Sequence, residues 1–261
     1  MNQTWFTLTT DFGNDHWYIG VLHSIILKSL PDSKIINLCH CIPPFDVNYA
    51  ALGLAGFSDT FPKNTIHIVV VDPGVGSDRD ILIAQTEKYY YIFPESALLY
   101  WVLKHQKLKR LIKLKKPSLS KKQAQTFHAK DIIVPAAIQL SQHKNLSLLG
   151  KNYRPQKLPI AYDAKKIAKS HWRAKILGFD NFGNAITNFP RQQIKGKYRL
   201  EATIGAVRFK MCEYYTQVSV GQPLAYFGSM NFLELGLCQG NARNKLLLIK
   251  EQEVEIFQID S

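Results

Sequence analysis

Two segments of the sequence place an aspartate directly after an apolar run and two residues before a glycine. One run leads into Asp11-Phe12-Gly13, and the other leads into Asp72-Pro73-Gly74. If both runs are parallel strands, Asp11 and Asp72 reach the same crevice, where open sheets usually bind ligands. A single strand-end aspartate often only shapes a turn or caps a helix. The occurrence of two favours a functional role.

The loop after Asp72 constrains the chemistry further. Its sequence, PGVGS, has neither the lysine of a P-loop nor the G-x-G-x-x-G spacing, which disfavours an ATPase or an NAD enzyme. Arg79 follows Asp72 by seven residues and can hold its carboxylate in one orientation. The alternative for Arg79 is a solvated surface position.

Histidines and a polar turn supply the remaining candidates. His128 stands where a basic segment ends and a helix is predicted to begin, so it is either a site residue or a cap. His40 follows a predicted strand and is interpreted as structural. Asp180 and Asn184 bracket the stretch DNFGN, which by itself indicates only a turn.

Alternating strand-like and helix-like patterns surround the first group of candidates and predict a mainly parallel sheet covered by helices. Asp46 is a predicted N-cap. The predicted strands are Trp5–Thr10, Lys34–Leu38, Ile66–Val71, Ile81–Thr86 and Tyr89–Phe93, and the predicted helices are Tyr18–Leu30, Val47–Ser58, Leu98–Lys116 and Asp131–Gln142.

The pattern changes beyond about residue 150. A polar connector, Lys151–Lys169, is followed by short β-prone runs typical of a small barrel or sandwich. We therefore predict an α/β domain over 1–160 and an all-β barrel domain over 170–261. The predicted barrel strands are Trp172–Phe179, Tyr198–Ile204, Ala206–Lys210, Leu224–Phe227, Phe232–Leu237, Leu246–Ile249 and Val254–Phe257.

The net charge of +13, from 33 Lys+Arg against 20 Asp+Glu, is concentrated in one place. Ten of the positive charges fall between Ser96 and Lys130, where no acidic residue occurs. Apolar residues alternate with the lysines of 104–130, which favours an amphipathic surface helix over a nucleic-acid site. A nucleic-acid partner is therefore not expected.

The composition also bounds the class of protein. A hydrophobic content of 46% can bury a full core, which excludes intrinsic disorder. The four cysteines form no CxxC pair, so neither a zinc ribbon nor a disulfide framework is predicted. The sequence shows no secretion signal and no apolar stretch long enough to span a membrane, so we expect a soluble, cytoplasmic protein.

Seven separated motifs, in order from Thr7 to Ala242, resemble the S-adenosylmethionine hydroxide adenosyltransferases, a family related to the S-adenosylmethionine-dependent fluorinase and chlorinase. The motifs are TLTTDFG, YIG, INLCHCIPPFD, NTIHIVVVDPGVGSDR, TFHAKDIIVPAA, FDNFGNAITN and FGSMNFLELGLCQGNA. The resemblance implies hydrolysis of S-adenosylmethionine at ribose C5′ to adenosine and methionine. It also implies a homotrimer with active sites at subunit interfaces, and no cofactor and no bound metal.

The resemblance assigns roles to individual residues. Asp72, Arg79 and His128 match the residues that position and activate water. The remaining matches bind substrate: Asp11 at the ribose hydroxyls, Phe45 as an aromatic wall, Asp180, Asn184 and Ser229 at the methionine end, and Asn241 and Ala242 at the adenine through their backbone.

Several positions depart from the family pattern. Pro94-Glu95-Ser96-Ala97 replaces the usual Pro-Asp-Asn-Gly, and His16 stands where an aspartate is common. Met230 replaces the arginine of the halogenating relatives, and no long insertion follows Arg79, which together favour water over halide. A halogenase, or a metal-dependent nucleoside or phosphoester hydrolase using Asp11, Asp72 and His128 as ligands, remains the alternative.

Overall fold

A computed structural model describes residues 3–115, 127–155, 163–194 and 199–259. The chain divides into two compact units, Met1–Ile160 and Ala161–Ser261. No helix of the described residues is both long enough and apolar enough to cross a bilayer.

The first unit is built on a seven-stranded sheet with the order β2-β1-β3-β5-β4-β6-β7. Strands β2, β1, β3 and β5 are parallel, whereas β4, β6 and β7 pair antiparallel. The elements are β1 (Trp5–Thr10), α1 (Tyr18–Ser29), β2 (Lys34–Cys39), α2 (Val47–Phe57), β3 (Ile66–Val70), β4 (Ile81–Thr86), β5 (Tyr90–Pro94), α3 (Leu98–His105), β6 (Leu108–Leu114), a π-helical turn (Ala129–Ile133), α4 (Val134–His143), α5 (Leu146–Leu149) and β7 (Gly150–Asn152).

The strand register places the candidate aspartates at one edge of this sheet. Thr10 of β1 pairs in parallel with Val70 of β3, and Thr9 pairs with Cys39 of β2. The segments that continue from Thr10, Val70 and Cys39 therefore leave the sheet side by side, as the sequence predicts.

Helices cover the sheet because its central strands are apolar on both faces. Every residue of β3 is buried. Phe6 and Leu8 share a core with Leu22 of α1 and with residues of α4. On the other face, Tyr91 lies among residues of α2 and α3. The predicted N-cap is confirmed, since an Asp46 oxygen accepts a hydrogen bond from the Tyr49 amide at 3.1 Å.

The predicted helix over Leu98–Lys116 is wrong in its second half. Helix α3 ends at His105, and Leu108–Leu114 forms strand β6 between β4 and β7. The apolar residues of Leu108–Leu114 fit both the helical and the strand periodicity. Pairing with β4, in which Ile83 lies opposite Ile112, selects the strand. The amphipathic surface helix inferred for 104–130 is wrong over Leu108–Leu114, and 116–126 lie outside the described residues.

Some lysines of the basic segment are paired with acidic residues from outside it. Lys107 lies 2.6 Å from Glu87, and Lys113 lies 2.7 Å from Asp80. Both lysines sit beside β4, so the local excess of positive charge is partly compensated. Three further charges of this segment lie outside the described residues: Lys116, Lys121 and Lys122.

The second unit is a closed barrel, which confirms the predicted fold class. Its strand order is β10-β14-β13-β12-β11-β15-β9, and β9 pairs back with β10, while β8 adds to the outer side of β9. The elements are β8 (Lys165–Ala168), β9 (His171–Phe179), β10 (Ala185–Pro190), β11 (Arg199–Ile204), β12 (Val207–Met211), β13 (Pro223–Phe227), β14 (Phe232–Leu237), α6 (Ala242–Lys245) and β15 (Glu253–Ile259).

The barrel differs from the prediction at three places. Strand β8 lies in the stretch predicted as a connector, and β10 was not predicted. The predicted strand Leu246–Ile249 is wrong: it follows helical turn α6, and Leu247 has a φ of 53° and is 80% exposed. A strand residue has a negative φ, so the chain turns here instead.

Candidate active site

Asp72 and Arg79 form a two-pronged ion pair just beyond β3. Arg79 Nε donates to Asp72 Oδ1 at 2.5 Å, and Arg79 Nη2 pairs with Oδ2. The two side chains are only 12% and 8% exposed. The pairing predicted from the sequence is present, in the fork geometry that fixes a carboxylate most strongly.

The glycine-containing loop curls so that Arg79 returns to Asp72. The Gly74 amide donates to Asp72 Oδ1 at 3.1 Å, and the Ser77 hydroxyl donates to the Gly74 carbonyl at 2.7 Å. A Cβ at Gly74 would stand 2.8 Å from Arg79 Cδ. Glycine is therefore required there for the arginine side chain to lie against the backbone.

His128 is the third member of this group. Its Nδ1 lies 3.2 Å from both Nη1 and Nη2 of Arg79. A guanidinium only donates hydrogen bonds, so Nδ1 must accept and the ring proton is carried by Nε2. Burial lowers the pKa of Arg79, but an arginine remains charged in a protein. The group thus holds a carboxylate, a guanidinium and an imidazole that can donate from Nε2.

The His128 segment is fixed by aromatic packing and by an unusual turn. His128 precedes the π-helical turn, a feature often found at functional sites. The Phe127 ring lies 6.0 Å from that of Phe12 and 4.7 Å from that of Tyr18. Because Phe12 follows Asp11, this packing draws the Asp11 and His128 segments together.

Asp11 and Phe45 meet directly. The Phe45 amide donates to Asp11 Oδ2 at 2.9 Å, while the Phe45 ring is 64% exposed. Behind them, buried His40 contacts Thr10 Oγ1 through Nδ1 at 2.8 Å, and burial lowers the pKa of His40. His40 therefore ties the end of β2 to the end of β1, in agreement with its structural interpretation.

In the barrel, Asp180 and Asn184 form a closed turn between β9 and β10. Asp180 Oδ1 accepts from the amides of Phe182 and Asn184 at 2.9 and 2.8 Å. Asp180 Oδ2 accepts from Asn184 Nδ2 at 2.7 Å. Asn184 is buried, so its amide orientation is decided by these neighbours.

Asn241 and Ala242 lie beside this turn. The Asn241 side chain caps α6, accepting from the Asn244 amide at 2.8 Å, and Ala242 is buried. A Cβ at Gly183 would stand 2.3 Å from the Asn241 side chain. The two segments that the sequence assigned to different ends of the substrate are thus in direct contact.

Residues 6–150 match the family model described as the SAM hydroxide adenosyltransferase N-terminal domain, and residues 174–255 match its C-terminal domain. The chain belongs to the SAM hydroxide adenosyltransferase family. It is 29% identical, over 95% of this chain and 97% of the relative, to an (R)-S-adenosyl-L-methionine hydrolase of Thermus thermophilus. It is 28% identical, over 96% and 95%, to one of Methanocaldococcus jannaschii.

A solved structure shares the fold of this chain. An uncharacterized conserved protein from Thermotoga maritima superposes with a TM-score of 0.85 at 26% identity, covering 97% of this chain and 99% of that chain. The SAM hydroxide adenosyltransferase resemblance read from the sequence motifs is confirmed.

Ser229 stands apart from the other family positions in the barrel. It is exposed in the turn between β13 and β14, whose neighbour across the sheet is the Pro190 end of β10. Asp180 and Asn184 lie at the other end of β10. A chain of hydrogen bonds that sequence reasoning missed starts at buried Glu234 and runs through half-buried Tyr226 to half-buried Tyr215.

The departures from the SAM hydroxide adenosyltransferase pattern are integrated into the fold. Glu95 accepts from Tyr153 Oη, and its amide donates to the Asp80 carbonyl at 2.8 Å, which ties this loop to the residue after Arg79. His16 Nδ1 accepts from the Tyr18 amide at 3.3 Å at the start of α1. An aspartate oxygen could accept the same hydrogen bond.

The described residues contain no group of three or more His, Cys, Asp or Glu side chains placed to hold a metal ion. Asp72 is instead engaged by Arg79. The described residues thus provide no set of metal ligands for the metal-dependent alternative.

Replacing Gly183 with Ala is expected to raise the KM for substrate severalfold and to lower Tm. Gly183 has a φ of 84°, which costs an alanine about 1 kcal/mol, and the new Cβ would displace Asn241. Gly221→Ala is the matched control, because its φ is 79° and nothing lies within 4 Å. Both variants should have a lower Tm than the wild type, and only Gly183→Ala should change KM. Equal KM values would show that the contact with Asn241 does not matter.

Proposed function

We propose that this chain hydrolyses S-adenosylmethionine, with water or hydroxide attacking ribose C5′ to release adenosine and L-methionine. The observation that carries the proposal is the buried Asp72–Arg79–His128 group at the strand edge that also holds Asp11. Two relatives that match nearly the full chain are named (R)-S-adenosyl-L-methionine hydrolases.

The reaction needs a positioned nucleophile more than an acid. A C5′–O bond forms while the C5′–S bond breaks, and the electron pair of that bond neutralises the sulfonium. Methionine therefore leaves as a neutral thioether without being protonated. The attacking water loses one proton. Holding this water in line with C5′ and excluding others is the main task of the site.

Asp72, Arg79 and His128 can perform this task together. Arg79 and the Gly74 amide occupy three acceptor positions of the Asp72 carboxylate, and one remains on Oδ2, so Asp72 can accept a hydrogen bond or the proton from water. Arg79 holds that carboxylate and contributes positive charge, which stabilises a developing hydroxide. His128, protonated on Nε2, can donate to the same oxygen.

In this proposal, the other family positions bind different parts of the substrate. Asp11 binds the ribose hydroxyls and the exposed ring of Phe45 forms a wall beside them. Asp180, Asn184 and Ser229 bind the methionine end, and the backbone at Asn241 and Ala242 binds adenine. No cofactor is needed, because the sulfonium already activates the leaving group.

The same resemblance supports a homotrimer with active sites at subunit interfaces. Light scattering of the purified protein should then give three times the 29.8 kDa of one chain. A monomer at the concentration of the assay would contradict this part of the proposal.

The decisive test is to incubate purified protein with S-adenosylmethionine and separate the products. Adenosine and methionine should form in equal amounts and be absent with heat-killed protein. Formation of 5′-chloro-5′-deoxyadenosine in high chloride would instead support the halogenase alternative. Activity lost on chelation together with a stoichiometric metal would support the metal-dependent alternative. No adenosine above the control would contradict the proposed function.

A further inference from the structure

The residue after Arg79, Asp80, is held from both sides at the start of strand β4. Strand β4 lies between β5 and β6 in the sheet. The Asp80 carbonyl accepts a hydrogen bond at 2.8 Å from the amide of Glu95, the residue that follows β5. The Asp80 carboxylate pairs with Lys113 of β6 at 2.7 Å, and the aspartate side chain is only 14% exposed. Both neighbouring strands therefore fix the position of Asp80.

A further residue, Tyr153, joins these two neighbours to each other. Tyr153 Oη donates to Glu95 Oε1, and the Tyr153 amide donates to the Leu111 carbonyl of β6 at 2.9 Å. Burial, and after it the Glu95 carboxylate, raise the pKa of Tyr153 to about 12, so its Oη keeps the proton that it donates. Leu111 is two residues from Lys113 along β6. The contacts thus form a closed ring, which we call the Asp80 clamp: Asp80, Glu95, Tyr153, Leu111 and Lys113.

The strand register explains how Lys113 reaches Asp80. Lys113 lies opposite Leu82, and Asp80 is two residues before Leu82, so Asp80 and Lys113 are diagonal neighbours on one side of the sheet. The lysine side chain is 51% exposed, and such ion pairs contribute little to the free energy of unfolding. The main effect of this pair is therefore on the position of the chain where β4 begins.

Arg79 depends on that position because most of its loop is open to solvent. Asp72 follows buried Val71 at the end of β3, whereas the residues from Val75 to Asp78 are exposed. Hydrogen bonds between Ser77 and Gly74 fold the loop on itself. The loop is thus anchored by β3 at one end and by the Asp80 clamp at the other, directly beside Arg79.

The contacts between Arg79 and His128 are the ones most sensitive to a shift of this anchor. Arg79 Nε lies 2.5 Å from Asp72 Oδ1, but both contacts with His128 Nδ1 are 3.2 Å long. A hydrogen bond between two charged groups is the stronger kind, so a displaced Arg79 keeps Asp72 and moves away from His128. The imidazole then loses the donor that favours a proton on Nε2.

We propose that the Asp80 clamp positions Arg79 against His128, and that Lys113 and Tyr153 are positioning residues that influence the reaction through Asp80 and Arg79. This inference rests on the proposed function, in which Arg79 and His128 act on the attacking water. The groups involved all belong to the first unit of the chain.

The test is Lys113→Met, which keeps much of the length of the side chain and removes its charge. We expect kcat for S-adenosylmethionine to fall about fivefold, the upper range for a partly exposed ion pair. KM should change less than twofold, because the substrate contacts are untouched. Lys113→Arg keeps the charge beside Asp80 and should restore kcat to within about twofold of the wild type. Tyr153→Phe opens the clamp elsewhere and should also lower kcat without raising KM.

Lys107→Met is the matched control. Lys107 pairs with Glu87 at 2.6 Å beside the other end of β4, so its replacement removes a similar ion pair far along the strand from Arg79. This variant should keep the wild-type kcat. Because both pairs are partly exposed, Tm of either variant should stay within about 4 °C of the wild type.

A double-mutant cycle shows whether the clamp acts through Arg79. In Arg79→Lys the contacts with His128 are already lost, so adding Lys113→Met should lower kcat by less than a further twofold. If Lys113 supported only the general stability of the fold, its replacement would cause the same loss of kcat in both backgrounds.

Two results with an active wild type would overturn this inference. One is a kcat for Lys113→Met within twofold of that for Lys107→Met, and the other is an equal loss with and without Arg79→Lys. A wild type that forms no adenosine would overturn the proposed function instead. In that case, hydrogen exchange of the Glu95 amide, which donates to Asp80, still tests the clamp. Faster exchange in Lys113→Met but not in Lys107→Met supports it, and equal rates contradict it.

Discussion

Replacing Asp72 with Asn is expected to lower kcat for S-adenosylmethionine hydrolysis about 10³-fold. The carboxamide cannot take a proton from the attacking water, and its NH₂ group faces the Arg79 donors that both carboxylate oxygens accept from. KM should change far less, because Asp72 contacts the nucleophile in the proposed mechanism and not the substrate. The measurement is steady-state formation of adenosine.

Asp59→Asn is the matched control for this experiment. Asp59 is 62% exposed and pairs with Lys88 at 3.2 Å, so its replacement should leave kcat unchanged. Circular dichroism should show that both variants are folded at the assay temperature. A folded Asp72→Asn variant with kcat within threefold of the wild type would remove Asp72 from the mechanism.

Replacing Arg79 with Lys is expected to lower kcat about 10²-fold, even though the positive charge is kept. Arg79 contacts Asp72 through Nε and Nη2 and His128 through Nη1 and Nη2. A single ammonium cannot make this planar set of contacts. The Asp72 carboxylate and the His128 imidazole are then no longer held in fixed positions relative to each other. Small displacements of catalytic groups are costly because attack at C5′ must be in line.

The control for Arg79 is Arg173→Lys in the barrel. Arg173 Nε donates to Glu255 at 2.6 Å, but the side chain is 43% exposed, and surface pairs of this kind contribute little. We expect kcat for Arg173→Lys to equal the wild-type value. If Arg79→Lys also retained it, the fork between Asp72 and His128 would be dispensable for catalysis.

Sequence reasoning predicted the central strands well because they combine apolar content with clear ends. Strands β1 and β4 have the predicted bounds, and β3 is buried throughout. It failed at β6, where the sequence LKRLIKL satisfies two periodicities and only pairing with β4 decides between them. It also failed at Leu246–Ile249, where a positive φ at Leu247 breaks an otherwise apolar run.

The candidate site, too, could be predicted from the sequence only in part. Asp11 and Asp72 could be placed together from strand ends alone, because parallel strands deliver their carboxyl ends to one edge. Gly74 allows the Arg79 side chain to fold back onto Asp72. This role could not be predicted, because it depends on the conformation of the Arg79 side chain. The hydrogen-bond chain from Tyr215 through Tyr226 to Glu234 was also missed, because its tyrosines carry no short-range motif.

Strand β8 has a consequence for how the barrel unit behaves at high concentration. The ring of strands closes on itself through β9 and β10, so within the described residues β8 is the strand of this sheet that carries an unpaired side. Open strand sides invite pairing with other molecules. This one is four residues long and begins with exposed Lys165 and Lys166, whose like charges repel a second copy. We therefore expect edge-to-edge pairing through β8 to be disfavoured.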